Sequence, residues 1–592
     1  MQLNALDWCI IAMFFIVSLA VGIASARKSG ESSSEFFLSG RSMPWWLLGF
    51  SMVATTFSAD TPNLVTDIVR TGGVAGNWAW WAFLLTGMLT VFVYAKLWRR
   101  SGINTDLEFY EMRYSGSEAR FLRGFRAFYL GVVFNVLIMG TVMLAGIKIA
   151  GILLGIGAIQ TVLIVSIITV IYSSIGGLRG VIYTDFIQFI IAMIGMVWAC
   201  IYIVNMPQVG GLSNLLANPV VQTKMNFLPD MHNRDLMMSL FIIPIAVQWW
   251  STWYPGSEPG GGGYVAQRML SAKDEKNAVM ATMFFNVAHY ALRPWPWILI
   301  AFASLIVFPE VSDIAKAFPN LNSQFVKHDL AFPAMLSFLP NGLLGMVIVS
   351  LIAALMSTLS THLNWGSSYI VNDLYSRFYK PQASEKELVR VGQVSTVILM
   401  FLGGFAALLM ENAKSSFDII LQIGAGTGLL FILRWFWWRI NATSEIVAMI
   451  VSFLVALALQ ADFAKTFENY EKLIIAVVIT NIAWIITAYT TKPTDMNILS
   501  SFYNSIKPHR YGWMPVIEHN KKNGTLTNQN MDAGKLSIEI LMMFLGCIFI
   551  YALLFGIGYM IYGMTTPTII SLIIALITGG LMLKFRSQIK VL

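Results

Sequence analysis

The sequence predicts an all-α integral membrane protein of about 15 spanning helices, two of them interrupted in mid-membrane. Three observations predict this. First, 57% of the 592 residues are hydrophobic and only 12% are charged, against about 45–50% and about 25% in soluble chains. Second, apolar stretches long enough to cross a bilayer, ~20 residues each, recur to the end of the chain. Third, the lysines and arginines fall in short loops on alternate sides of those stretches, as positive-inside topology requires. That distribution accounts for the net charge of +8 without a basic amphipathic stripe. The expected partner is therefore the lipid bilayer and not nucleic acid.

The first stretch, DWCIIAMFFIVSLAVGIASARKSG, has no basic region before its apolar run and no small-residue cleavage site. It reads as a retained span, not a signal peptide, and Arg27 and Lys28 directly after it favour an outside N-terminus. Further spans are predicted near 44–70, 76–98, 124–150, 156–177, 181–205, 237–265, 277–307, 342–370, 390–411, 415–438, 442–461, 472–490, 535–562 and 566–585. Cytoplasmic loops then fall at 27–43, 99–123, 177–181, 266–276, 371–389, 438–442 and 491–534, and collect most of the cations. An odd number of spans puts the basic end FRSQIKVL inside, in a cell (plasma or inner) membrane. The long polar segments, 206–236, 308–340 and 491–534, are too short for a catalytic or nucleotide-binding domain. With no HExxH, no Ser/His/Asp set and no GxxxxGK[ST] motif, the sequence predicts a protein that is not an enzyme. Cys9, Cys200 and Cys547 lie far apart in apolar runs, without metal or disulfide spacing.

Two spans carry their own breaks. SMVATTFSADTPNL (51–64) holds Asp60 and Pro62, and WYPGSEPGGGGY (253–264) holds two prolines, five glycines and Glu258. Proline removes a backbone donor and glycine permits close backbone approach. Backbone left unpaired at membrane depth is tolerated only where it lines a cavity or binds something. The breaks lie five spans apart, so they run in opposite directions. Paired breaks at matching positions of two inverted halves point to a transporter's midplane site. The expected divisions are 1–43 (an extra span and loop), 44–205 and 237–438 (the two halves), and 439–592 (accessory spans with a cytoplasmic loop at about 491–534).

Ionisable groups inside spans are costly and usually functional; here they are Asp60, Asp185, Glu258, His289 and Arg293. Asp60 fits either a helix cap at the break or a place beside a bound ion. Asp185, near the start of its span, reads from position as a capping carboxylate. Arg293 lies too deep to snorkel; it is expected to pair with Glu258 or Asp60, or to meet a substrate anion or hydroxyl. In LIAALMSTLSTHLNWGSS (351–368), Ser357, Thr358, Ser360 and Thr361 crowd one and a half turns. A lone hydroxyl commonly bonds back to its own helix; four together suit a hard cation such as Na+. The run NWAWWAF (77–83) is read as an interfacial aromatic belt.

Taken together, FFLSGRSMPWW (36–46), SMVATTFSAD (51–60), IYSSIGGLRGVIYTDFIQ (171–188), YVAQRMLSAKDEKNA (264–278) and AALMSTLSTHLNWGSSYIVNDLY (353–375) resemble the sodium:solute symporter family. The resemblance implies a LeuT-type 5+5 inverted-repeat fold with one extra N-terminal and several C-terminal spans. It implies sodium-coupled import of a small polar organic solute by alternating access, with Na+ as coupling ion, no organic cofactor and a monomer as the working unit. One sodium site would use the carbonyls of Ala54, Phe57 and Ala354 with the hydroxyls of Ser357 and Thr358. A second site, found in some members, would use Asp185, Ser357, Ser360 and Thr361, and this raises Asp185 from cap to ion ligand. Candidates for substrate contact or gating are Asp60, Thr61, Trp253, Tyr254, Glu258, Arg293 and Gln422. The match departs from sugar-transporting members, which carry a glutamine after the first break and a glutamate on the next helix, where this chain has Thr61 and only Trp and Ala around 78–82. The glycine-rich stretch is also longer. A sugar or sugar derivative is the first expectation for the solute, an amino acid or carboxylate the second; a transporter-like solute sensor is the rival reading.

Overall fold

The computed structural model describes residues 3–250, 258–319, 326–410, 426–464, 466–525 and 535–589. Trp253, Tyr254 and Gln422 lie outside the described residues. Among the described residues the structure is helical throughout, and the one β-type contact is a bridge between Met43 and Ala272. Among the described residues, ten helices are long and apolar enough to cross a membrane.

In chain order the elements are α1 (Ala5–Ser29), α2 (Trp45–Thr56), α3 (Asp60–Gly72), α4 (Val74–Ser101), α5 (Gly116–Leu153) and α6 (Ala158–Val204). They continue with α7 (234–246), α8 (Gly263–Ser271), α9 (Glu275–Val307), α10 (Leu343–Tyr379), α11 (Glu385–Leu409) and α12 (426–433). The last are α13 (Ala442–Ala458), α14 (Asn469–Thr490), α15 (Met496–Ile506), α16 (Met514–Lys522), α17 (Leu536–Ile561) and α18 (Thr565–Phe585).

Asn4 caps α1 and Asp7 closes the capping box. The buried Asp7 carboxylate also accepts from Gly342 N (2.7 Å) and Gly345 N (2.8 Å). One residue thus satisfies orphan donors at the starts of both α1 and α10. Further along, α1 lies against α6 where Gly22 meets Gly176 and Tyr172, the close approach that small residues allow in membranes.

The expected loop at 177–181 is not a loop. At ~1.5 Å per residue the 47 residues of α6 would run ~70 Å, over twice the ~30 Å hydrocarbon core, so the two predicted spans must bend apart. They do so at Gly177 alone, with φ 54° and ψ −163°. A side chain there would press on the carbonyl of Phe36 at 2.8 Å.

The first predicted break is present, with α2 ending at Thr56 and α3 beginning at Asp60; of the second, the described residues 258–262 are non-helical and lead into α8 at Gly263. The two broken elements are tied together: Met43 N donates to Ser271 O (3.2 Å) and Lys273 N to Met43 O (3.0 Å). A third interruption falls inside α9, where Arg293 precedes Pro294 at the first turn of its second part.

The aromatic-belt reading of 77–83 is corrected. Trp78 and Trp81 are buried at 3% and 0% exposure. Trp78 packs on Tyr551 and Phe555 of α17 and donates Nε1–H to Phe227 O (2.8 Å). The accessory helix covers the face the sequence assigns to the interface. At the other end, Phe502 of α15 stacks on Trp513, just before α16, at 5.4 Å, and the pair packs on Phe109, Trp435 and Arg113.

Candidate functional site

The first break exposes a helix end. The last four carbonyls of α2 have no intrahelical partner, and the helix dipole is negative there. Phe57 N serves the carbonyls of Val53 (2.9 Å) and Ala54 (3.2 Å). The other partners come from elsewhere. Thr358 of α10 places its hydroxyl 2.9 Å from Thr55 O and 3.2 Å from Ala354 O, joining the end of α2 to the middle of α10. Arg293 donates through Nη1 to Val53 O and to Thr56 Oγ1, both at 3.3 Å, and stacks over Trp297. A guanidinium at a helix C-terminus is where the dipole favours it. The carbonyls of Ala54, Thr55 and Ala354 and the Thr358 hydroxyl thus lie at this seam beside Phe57, while the neighbouring Ser357 hydroxyl turns to Asp185; neutral carbonyl and hydroxyl oxygens are of the type hard monovalent cations accept.

Behind the seam lies a buried polar network built by four helices. The Asp185 carboxylate, 0% exposed, accepts from Ser51 Oγ on Oδ2 (2.5 Å) and from Ser357 Oγ on Oδ1 (2.6 Å). Arg268 of α8 reaches the same place: Nε donates to Ser51 Oγ (3.2 Å), Nη2 to Thr361 Oγ1 (2.7 Å), and Nη2 lies 3.8 Å from Asp185 Oδ2. Thr55 gives its proton to Ser51 O (2.9 Å), so in the 2.9 Å contact between Thr55 and Thr361 the donor is Thr361. Gln267 extends the network to Asn364 (2.9 Å) and Phe37 O (3.1 Å). Ser360 turns back to Ser357 O (3.0 Å) on its own helix. A low-dielectric network of this kind is stable only when fully satisfied.

The structure therefore brings Asp185, Ser357 and Thr361 together and shows that Asp185 is no helix cap, since α6 continues on both sides of it. Sequence reasoning missed Ser51, Thr55, Gln267 and Arg268. The signal for Arg268 was present, an arginine in YVAQR directly after a break, but position alone made it a cytoplasmic loop cation. Burial at 0% corrects that.

Glu258 and Arg293 do not pair. Glu258 is held by Arg126 of α5, in close contact with Oε1, and by Arg434 just after α12 (Nη2 to Oε2, 2.8 Å). Asp60 opens α3, and Arg293 is among the charges acting on it. Around this break several buried polar atoms have no hydrogen-bond partner among the described residues: Asp60 Oδ1, both side-chain atoms of Asn63, His289 Nδ1 and Arg293 Nε. The Thr61 hydroxyl donates a long bond to Thr56 O (3.3 Å). Trp80 stacks on Tyr290 and meets His289 edge-on nearby.

The sequence model of the sodium:solute symporter family matches residues 36–452. The sodium/glucose cotransporter of Vibrio parahaemolyticus is 24% identical over 542 residues, covering 87% of this chain and 97% of that protein. The sodium/mannose cotransporter of Bos taurus is 26% identical over 478 residues, covering 74% and 76%. A solved structure of a Na+-coupled sialic acid symporter, described as substrate-bound and outward-open, aligns at a TM-score of 0.66 and 22% identity over 83% of this chain and 99% of that one. At that identity the likeness is one of fold, the LeuT-type fold of a sodium symporter. With the family match spanning most of its length, the chain belongs to the sodium:solute symporter family.

Proposed function

We propose that this sodium-coupled symporter imports a small polar solute, a sugar or sugar derivative first, through a site at the two helix breaks. The observation that carries the reading is the oxygen-lined seam where Thr358 of α10 meets the end of α2. Sodium held there by Ala54, Phe57, Ala354, Ser357 and Thr358 would fasten the broken helix to α10. It would thereby favour the state that binds solute. Coupling of this kind requires sodium to bind that state more tightly than the other. The two halves, 44–205 and 237–438, would then rock about the fixed site, with the N-terminus outside and the C-terminus cytoplasmic.

The unpartnered polar atoms of Asp60, Asn63, His289 and Arg293 support a solute rich in donors and acceptors, because buried polar groups are retained where something satisfies them. The sugar preference rests on the names of the relatives, sodium/glucose and sodium/mannose cotransporters. An amino acid or carboxylate is the second reading, favoured by the buried Arg293. The test is uptake of labelled glucose, mannose, sialic acid and a set of amino acids into proteoliposomes, with and without an inward sodium gradient. Sodium-stimulated uptake of a sugar supports the proposal. Uptake confined to amino acids selects the second reading, and solute binding without flux would make the protein a sensor.

A further inference from the structure

The glycine-rich stretch before α8 is held by more groups than a spacer needs. Gly260, Gly261 and Gly263 have φ of 88°, 91° and 55°, and Gly261 N closes a turn on Glu258 O (2.8 Å). Trp98 of α4 donates Nε1–H to Gly260 O (2.8 Å). Asp106, between α4 and α5, accepts from Gly263 N on Oδ2 (2.8 Å) and from Tyr369 of α10 on Oδ1 (2.5 Å). Glu258, 5% exposed, joins Arg126 of α5 and Arg434 after α12, themselves 5% and 2% exposed. The break is thus pinned to α4, α5, α10 and the end of α12 at once, on the face where loop cations place the cytoplasm.

The clamp is charge-balanced and is extended outward. Arg434 Nη1 lies 3.2 Å from Tyr110 OH and 3.5 Å from Glu445 Oε1, and Glu445 accepts from Tyr114 OH (2.6 Å). Arg113 donates to the carbonyls of Arg434 (3.2 Å), Trp437 (3.0 Å) and Trp438 (3.2 Å), and lies 4.7 Å over the ring of Trp513. The carboxylates of Glu258, Glu445 and Asp106 equal in number the guanidiniums of Arg126, Arg434 and Arg113. A buried pair contributes little net stability but is expensive to break once formed, the property a two-state fastening needs.

We infer that Glu258, clamped by Arg126 and Arg434, is the cytoplasmic latch of the transport cycle, a positioning group for the gate and not a substrate contact. Moving α8 away from α5 and α10 breaks this clamp together with the Asp106 and Trp98 contacts. The inference rests on the transporter reading above, but its test does not require uptake. In a background with Cys9, Cys200 and Cys547 replaced by serine, a single cysteine at Thr61 is labelled in vesicles by a membrane-impermeant thiol reagent from each face in turn.

Glu258→Gln is expected to raise labelling from the face bearing Arg126 and Arg434 by about tenfold or more, as a loss of bias in a two-state equilibrium does. Labelling from the opposite face should fall. Arg434→Gln should act in the same direction, and the double variant should do no more than either single one. If Glu258→Gln is not recovered folded, Glu258→Asp and Arg434→Lys carry the same comparison with smaller shifts. Labelling unchanged from both faces overturns the latch. So does weaker solute binding by Glu258→Gln with unchanged labelling, which would make Glu258 a substrate ligand. Absence of sodium-driven uptake with the labelling shift intact would sink the transport reading and leave the latch standing.

Discussion

Arg268 and Asp185 set the terms at the scale of single residues. Both are 0% exposed, and each is tied through Ser51 to the helix that breaks. Their direct separation of 3.8 Å is long for an ion pair, so Ser51, which donates to Asp185 and accepts from Arg268, carries much of the link. Removing one partner leaves a buried charge uncompensated, at a cost of about 3–5 kcal/mol. Arg268→Met should therefore lower thermal stability in detergent severely, and adding Asp185→Asn should restore part of the loss. If the two losses simply add, the residues act independently. The same contacts bear on the second sodium site. Thr361 and Asp185, two of its four expected ligands, are already engaged by an arginine. Sequence comparison carries the ligand set across, but it does not show that Arg268 stands among them.

At the scale of elements, the breaks were legible and their fastenings were not. Prolines and glycines in an otherwise apolar run mark a break because they remove donors and admit positive φ. Three of the four glycines from Gly260 to Gly263 do take positive φ, while Gly262 sits at φ −146° and ψ −180°, a conformation open to any residue. Gly260→Ala and Gly261→Ala should each cost about 1–2 kcal/mol from the left-handed backbone, and Gly262→Ala should carry no such backbone cost. Thermal shift and uptake across the three single variants check this; equal effects would show that spacing, not conformation, is what matters. The partners of Glu258 could not be read from sequence. Arg126 and Arg434 lie 132 and 176 positions away, and each is an ordinary arginine near a predicted span end. The span between 156 and 205 shows the converse: periodicity gave two helices, but only the positive φ of Gly177 told that one residue suffices to turn them.

For the whole molecule, hydropathy and loop charge gave the class, because a bilayer imposes both on every span. They mislead where protein covers protein. The tryptophans at 78–81 look interfacial until α17 is placed over them, and the polar segment from 491 reads only as a loop until α15, α16 and Trp513 under Arg113 are seen. Polar segments at the helix ends also fasten helices together. Glu111 accepts from Arg123 (2.8 Å) and from Arg377 (2.7 Å to each carboxylate oxygen). Those hydrogen bonds, Arg377's first, hold its carboxyl below the usual glutamate range against some burial. A lowered acid stabilises above its ordinary range and loses that contribution as pH falls through it. Glu111→Gln should thus cost about 1 kcal/mol at neutral pH, and the gap to wild type should close below about pH 4, as paired thermal melts would show. The central claim is that sodium fastens the end of α2 to α10 through Thr358, and the sodium dependence of uptake tests it most directly. Losing one hydroxyl ligand to a cation is worth about 1.5–3 kcal/mol, so Thr358→Ala should raise the sodium concentration for half-maximal uptake about tenfold or more, with the protein still folded. An unchanged sodium dependence in that variant would contradict the account.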